Sequence, residues 1–153
     1  KKIGVIATEG TIKNGAWERE LKKEIPEIEV INKACPMLAT IAEEGRANSK
    51  EGRNVIREYM KPFKTQKIDK IILGCTHYPI YEQIIRDELG YEVELINTGK
   101  TVAKELKEML EKQNLCNDKM KTKEEIILTK PEDEFKKIAE NIMKKPPKML
   151  TYK

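Results

Sequence analysis

Ile68-Asp69-Lys70-Ile71-Ile72-Leu73-Gly74-Cys75-Thr76-His77-Tyr78-Pro79 is the stretch from which the fold is read. Ile68, Ile71, Ile72 and Leu73 form a short apolar, largely β-branched run, the pattern of a buried strand. Gly74 and Pro79 then bracket an irregular turn at the carboxyl end of that strand. The turn holds a thiol, a hydroxyl and the chain's only histidine. Open α/β sheets bind ligands at the carboxyl ends of their strands, so the stretch marks a site as well as a strand.

Upstream, Ile3-Gly4-Val5-Ile6-Ala7 reads as a strand, followed by a turn with Thr8, Gly10 and Thr11 and a helix around Trp17 and Leu21. Ile28-Glu29-Val30-Ile31 is a second strand. Pro36 can start a helix with Met37, Leu38, Ile41 and Ala42 on its apolar side, stopped by Gly45. Ser49 to about Met60 is a further amphipathic helix carrying Val55, Ile56 and Tyr59, which Pro62 is expected to interrupt. Downstream, Ile80, Ile84, Ile85 and Leu89 recur at helical spacing up to Gly90. Val93-Glu94-Leu95-Ile96 is the next strand. Asn97 or Thr98 can cap a helix from about Lys100 to Gln113 that turns Val102, Leu106, Met109 and Leu110 inward. After a polar loop, Asn114 to Lys123, come a strand at Ile126-Ile127-Leu128-Thr129 and a helix opened by Pro131-Glu132-Asp133, with Phe135, Ile138, Ala139 and Ile142. The proline-containing basic tail from Lys144 to Lys153 is expected to be loosely held. Strands alternating with helices predict an α/β fold, a mostly parallel sheet with helices on both faces.

A chain of 153 residues suits one ordinary domain with a real core. Thirty basic residues against 26 acidic leave a net charge of only +4, and lysine and glutamate alternate along helices, as on a solvated surface. There is neither the basic stripe nor the interleaved aromatics of a nucleic-acid surface. No apolar run approaches the ~20 residues of a membrane span. Cys35, Cys75 and Cys116 are an odd set without paired spacing, the usage of a reducing compartment. A soluble, cytoplasmic protein is expected. The chain opens Lys1-Lys2-Ile3 and enters a strand at once, which reads as a piece of something longer.

Thiolates are the cysteine species that act as base or nucleophile, and backbone dipoles at a strand end or helix start favour them. Cys75 is so placed. Thr76 offers a hydroxyl and an amide suited to a carboxylate, and histidine is the side chain that changes charge near neutral pH. Together these residues describe proton transfer at a small acid. On the residues alone two other readings stand. Cys75 can be a small buried hydrophobe with His77 a turn residue. A metal is the other, although Cys-x-His is not a zinc-knuckle spacing and Cys35 and Cys116 sit apart in Ala34-Cys35-Pro36 and Leu115-Cys116-Asn117.

Gly74-Cys75-Thr76-His77-Tyr78-Pro79 resembles the second catalytic-cysteine motif of the cofactor-independent aspartate/glutamate racemases. Ile3-Gly4-Val5-Ile6-Ala7-Thr8 with Thr11-Ile12 resembles the strand and loop that open the family's second domain. Ala34-Cys35-Pro36 with Glu43-Glu44-Gly45 resembles its next signature. The resemblance covers all but the lysine-rich tail. It implies a two-base mechanism in which cysteines on opposite faces of glutamate remove and return the α-proton without pyridoxal phosphate, other cofactor or metal, supplying D-glutamate for peptidoglycan. By that resemblance Cys75 is one of the two bases, Thr76 and His77 bind substrate, His77 assists proton transfer, and Glu43 supports His77.

The family's other cysteine, with its Asp-Ser, Tyr-Gly and Asn-Thr signatures, precedes the portion seen in this sequence. The resemblance therefore implies a carboxyl-terminal portion: residues 1–92 as the second racemase domain, 93–143 as a segment returning to complete the first, and 144–153 as the tail. Leu106, Leu110, Phe135 and Ile138 would then be partly uncovered, favouring homo-oligomerisation or pairing with an amino-terminal half. Two alternatives accompany this reading. One is a single-cysteine carbon-acid enzyme of the superfamily, a decarboxylase or another amino-acid racemase. The other is a non-catalytic remnant serving as a binding or assembly partner.

Overall fold

The structure is a computed structural model that describes residues 1–117, 125–130, 133–143 and 148–151. Strands β1 (Lys2–Ala7), β2 (Glu29–Ala34), β3 (Lys70–Leu73) and β4 (Glu94–Asn97) form one sheet in the order β2-β1-β3-β4, every pair parallel. β1 and β3 are the central pair, with Ile3 opposite Lys70 and Ile6 opposite Leu73. Side chains alternate across a strand, and the apolar runs supply both faces. Ile6, Ile71 and Leu73 enter one buried cluster, while Ile3, Val5 and Ile72 enter the other.

The first cluster is covered by α3 (Met37–Glu43), α4 (Lys50–Gln66) and α5 (Glu82–Leu89), which bring in Leu38, Ile41, Ile56, Met60, Phe63, Ile84 and Ile85. The second is covered by α1 (Glu9–Asn14) and α2 (Ala16–Glu24), through Ile12, Trp17 and Leu21. Helices therefore lie on both faces, as a parallel sheet requires. Gly4 lets α4 pack close against β1. A Cβ there would stand 2.8 Å from the Phe63 ring.

Several boundaries differ from the pattern reading. The helix expected around Trp17 and Leu21 is α2, but the stretch expected to be a turn, with Gly10 and Thr11, is itself the short helix α1, separated from α2 at Gly15 with φ +66°. Pro62 does not interrupt α4, which runs on to Gln66. A proline inside a helix costs about 3 kcal/mol or more. Met60 and Phe63, both buried, return about 1.5–3 kcal/mol each, so the helix persists. The helix expected from Ile80 starts instead as a 3-10 turn, Tyr78–Tyr81, continued by α5. The four-stranded sheet includes β4 as its edge strand beside β3.

Beyond β4 runs α6 (Thr98–Lys112), capped by the Asn97 side chain, which accepts from the Lys100 N–H at 3.2 Å. None of its residues is buried; the inward turn expected of Val102, Leu106, Met109 and Leu110 is not made here, since among the described residues no element covers that face. Residues 118–123 of the expected polar loop, and Pro131 and Glu132, lie outside the described residues. β5 (Glu125–Leu128), α7 (Asp133–Met143) and β6 (Lys148–Thr151) follow, β5 and β6 pairing in parallel as a separate two-stranded sheet. The tail expected to be loose thus contains a strand. Met149 and Leu150 sit opposite Ile126 and Ile127, an apolar pairing hidden by a basic composition.

Candidate active site

Four strand ends open on one edge of the sheet: Ala7 leads to Thr8, Ala34 to Cys35, Leu73 to Gly74 and Cys75, and Asn97 to Thr98. The Gly74 N–H donates to the Ile6 carbonyl at 2.8 Å, extending the central ladder one rung past β3. A Cβ on Gly74 would lie 2.9 Å from Trp17 Nε1, 3.0 Å from the Ile6 carbonyl oxygen and 3.2 Å from Ala7 Cβ. Glycine there lets Trp17 and β1 close in beneath the turn. Thr98 Oγ1 donates to the Leu73 carbonyl at 3.2 Å from the β4 side, and Thr8 and Thr11 hydroxyls meet at 3.0 Å on the β1 side.

Past Cys75 the chain turns at once, the Tyr78 N–H donating to the Cys75 carbonyl at 3.1 Å. That turn folds His77 back, so that its Nδ1 lies 3.6 Å from Cys75 Sγ. The other ring nitrogen, Nε2, lies 3.0 Å from Oε1 of Glu43, the last residue of α3. A carboxylate only accepts hydrogen bonds, so Nε2 carries the ring proton of the neutral imidazole and Nδ1 presents its lone pair to the thiol. Proton transfer from Sγ to Nδ1 would leave a thiolate beside an imidazolium that Glu43 stabilises, the arrangement of a base oriented by a third group. The three residues are reachable: Cys75 is half-buried, and the His77 and Glu43 side chains are 36% and 65% exposed. Thr76, between them, faces solvent.

Cys35 is different. It is fully buried, and burial pushes its thiol up to about 12, so at neutral pH it is a neutral packing group with Sγ 3.6 Å from the Lys33 carbonyl. Cys116 is exposed, in the segment after α6. Among the described residues no group of three or more His, Cys, Asp and Glu is arranged to hold a metal ion, and no helix is long and apolar enough to cross a membrane.

Pattern reading passed over Tyr78 and Tyr81. Both are fully buried, their hydroxyls donating to the carbonyls of Cys35 at 2.8 Å and Leu38 at 2.7 Å. Burial raises both phenols, Tyr81 to about 12. The available signal was two tyrosines three residues apart directly after the histidine.

Residues 1–106 match the profile of the family described as Asp/Glu/Hydantoin racemase. The chain belongs to this racemase family. Among its relatives, glutamate racemase 2 of Caldanaerobacter subterraneus subsp. tengcongensis is 37% identical over 145 residues, covering 95% of this chain and 55% of the relative. A glutamate racemase of Geobacter metallireducens is 36% identical over 109 residues, 71% of this chain and 40% of the relative. The fold matches the crystal structure of a glutamate racemase isoform from Bacillus anthracis with TM-score 0.90 at 32% identity, covering 99% of this chain and 57% of that one. It matches the glutamate racemase of Francisella tularensis, solved with D-glutamate, with TM-score 0.87 at 28% identity over 99% and 56%. The racemase-family chain thus spans about half the length of the curated relatives it matches. The α/β architecture with a mostly parallel sheet is that of glutamate racemase structures.

Proposed function

We propose that this chain supplies one of the two acid–base faces of a cofactor-independent glutamate racemase that interconverts L- and D-glutamate. The observation that carries the reading is the line Glu43, His77, Cys75 at the carboxyl edge of a parallel sheet, with contacts of 3.0 Å and 3.6 Å. Cys75 thiolate takes the α-hydrogen as a proton, and the electron pair left on Cα spreads into the adjoining carboxylate. Thr76 holds that carboxylate by its hydroxyl and amide. His77 relays the proton at Cys75, and Glu43 fixes the ring so that Nδ1 faces sulfur. Protonation of the opposite face, which completes inversion, falls to a second group in the part of the relatives' length that this sequence does not span. The proton gained by Cys75 and the one returned to Cα balance, so neither oxidant nor metal enters the step.

The division of labour extends to the fold. The four-stranded unit holds the site. α6, β5, α7 and β6 present Val102, Leu106, Met109, Phe135 and Ile142, all exposed, and a two-stranded parallel sheet that normally needs cover on both faces. We assign them to completing the racemase's other domain. A cytoplasmic enzyme feeding D-glutamate to peptidoglycan synthesis is the corresponding cellular role. The test is to mix this chain with the amino-terminal portion of a glutamate racemase and follow conversion of L- to D-glutamate by chiral analysis. Activity in the mixture that disappears with Cys75→Ala is expected, with none from the chain alone. Racemisation by the isolated chain, or a mixture indifferent to Cys75→Ala, would overturn the proposal.

A further inference from the structure

His77 and Glu43 belong to different elements, and something must hold those elements in register for a 3.0 Å contact to form. His77 directly precedes the Tyr78–Tyr81 turn, and Glu43 closes α3. Two hydrogen bonds join the turn to α3 and its start. Tyr78 reaches the Cys35 carbonyl and Tyr81 the Leu38 carbonyl, each across 43 positions of sequence. Equal separations mean that a step of three residues on the turn matches a step of three on the opposing segment, so the two are joined in phase. Both phenols and the residues they reach, Cys35 and Leu38, are fully buried. Neither hydroxyl can exchange its partner for bulk water, and a slip of the turn would leave the two buried hydroxyls unpaired.

We propose that Tyr78 and Tyr81 are positioning residues that lock the Cys75 turn onto α3 and so align His77 with Glu43 and Cys75. The inference rests on the reading of those three residues as a working group. It assigns the tyrosines a role separate from filling the core, since a phenylalanine would fill the same space without the hydroxyl. Losing one hydroxyl weakens the aligned register about fivefold, the net worth of a typical hydrogen bond.

The test uses NMR of the imidazole ring of His77, the chain's sole histidine, in the wild type and in Glu43→Ala, Tyr78→Phe and Tyr81→Phe, with thermal unfolding recorded for each. The expected result is that Glu43→Ala displaces the ring nitrogen and ring N–H signals, and that each tyrosine variant, still folded, moves them toward the Glu43→Ala position. If Glu43→Ala displaces the signals while both tyrosine variants keep the wild-type spectrum and only melt earlier, the phenols are packing groups and the proposal fails. If Glu43→Ala itself leaves the ring unchanged, there is no His77–Glu43 pair to position, and the reading of the site fails with it.

Discussion

Replacing Gly74 by alanine tests how tightly the site turn is seated on the sheet. The added Cβ would stand 3.0 Å from the Ile6 carbonyl oxygen and 2.9 Å from Trp17 Nε1. The carbonyl cannot retreat freely, because it accepts the Gly74 N–H itself at 2.8 Å and belongs to a central strand paired on both sides. The indole must therefore swing away or the rung must stretch. Overpacking of this kind costs about 1–3 kcal/mol, and a rigid backbone oxygen as one neighbour places it at about 2–3 kcal/mol, or a fall in Tm of roughly 5–10 °C. Trp17 is the only tryptophan, so its fluorescence reports locally while far-UV circular dichroism reports the whole fold. Earlier melting with altered Trp17 emission is expected. An alanine variant with Tm within about 1 °C of the wild type and unchanged emission would refute the close seating of the turn.

Other outcomes follow from the same geometry. In native protein at pH 8, alkylation mapped by peptide mass should label Cys116 and Cys75 and spare Cys35, which is buried with its thiol raised to about 12; prompt labelling of Cys35 would contradict that burial. His77→Ala should slow labelling of Cys75 at neutral pH while leaving Cys116 as an unchanged internal reference. Because the Cys35 thiol ionises in the unfolded chain near 9 but in the fold only at about 12, the unfolded state binds fewer protons between those values, so stability should be full below pH 9 and fall as pH rises toward 12. Tyr81, raised from 10 to about 12, acts in the same direction, and a urea-unfolding series across that range would show it. Asn97→Ala should remove the α6 cap and lower stability by about 1 kcal/mol, whereas Leu106→Lys on the uncovered face of the same helix should stay within about 0.5 kcal/mol.

The sheet and the placing of the candidate site were legible because their signals are local. Ile71-Ile72-Leu73 is apolar without interruption because β3 is buried on both faces, and Gly74 with Cys75 follows at its carboxyl end, where the structure places them. Cys75 and His77 are two residues apart, so their meeting needed no tertiary information. Glu43 is 34 positions from His77, and a glutamate at a helix end carries no mark of a partner; only resemblance to the racemases singled it out. Pro62 misled because local propensity favours a break there, while the burial of Phe63 one residue later is a tertiary gain that no window of sequence displays. The phenol contacts were invisible for the same reason, since tyrosines at helical spacing read as core until the carbonyls of Cys35 and Leu38 are seen in reach of their hydroxyls. The face of α6 is a different case. Its apolar spacing is genuine, but the four-stranded unit offers nothing to cover it.

The central claim is that Cys75 is the base on one face of the substrate, and α-proton exchange tests it most directly. L- and D-glutamate are incubated separately in deuterated water with the chain and with its Cys75→Ala variant, then read by NMR and chiral analysis. The account predicts deuterium entering one enantiomer with its configuration kept, abolished by Cys75→Ala. Equal exchange with and without the Cys75 thiol, zero included, would contradict it.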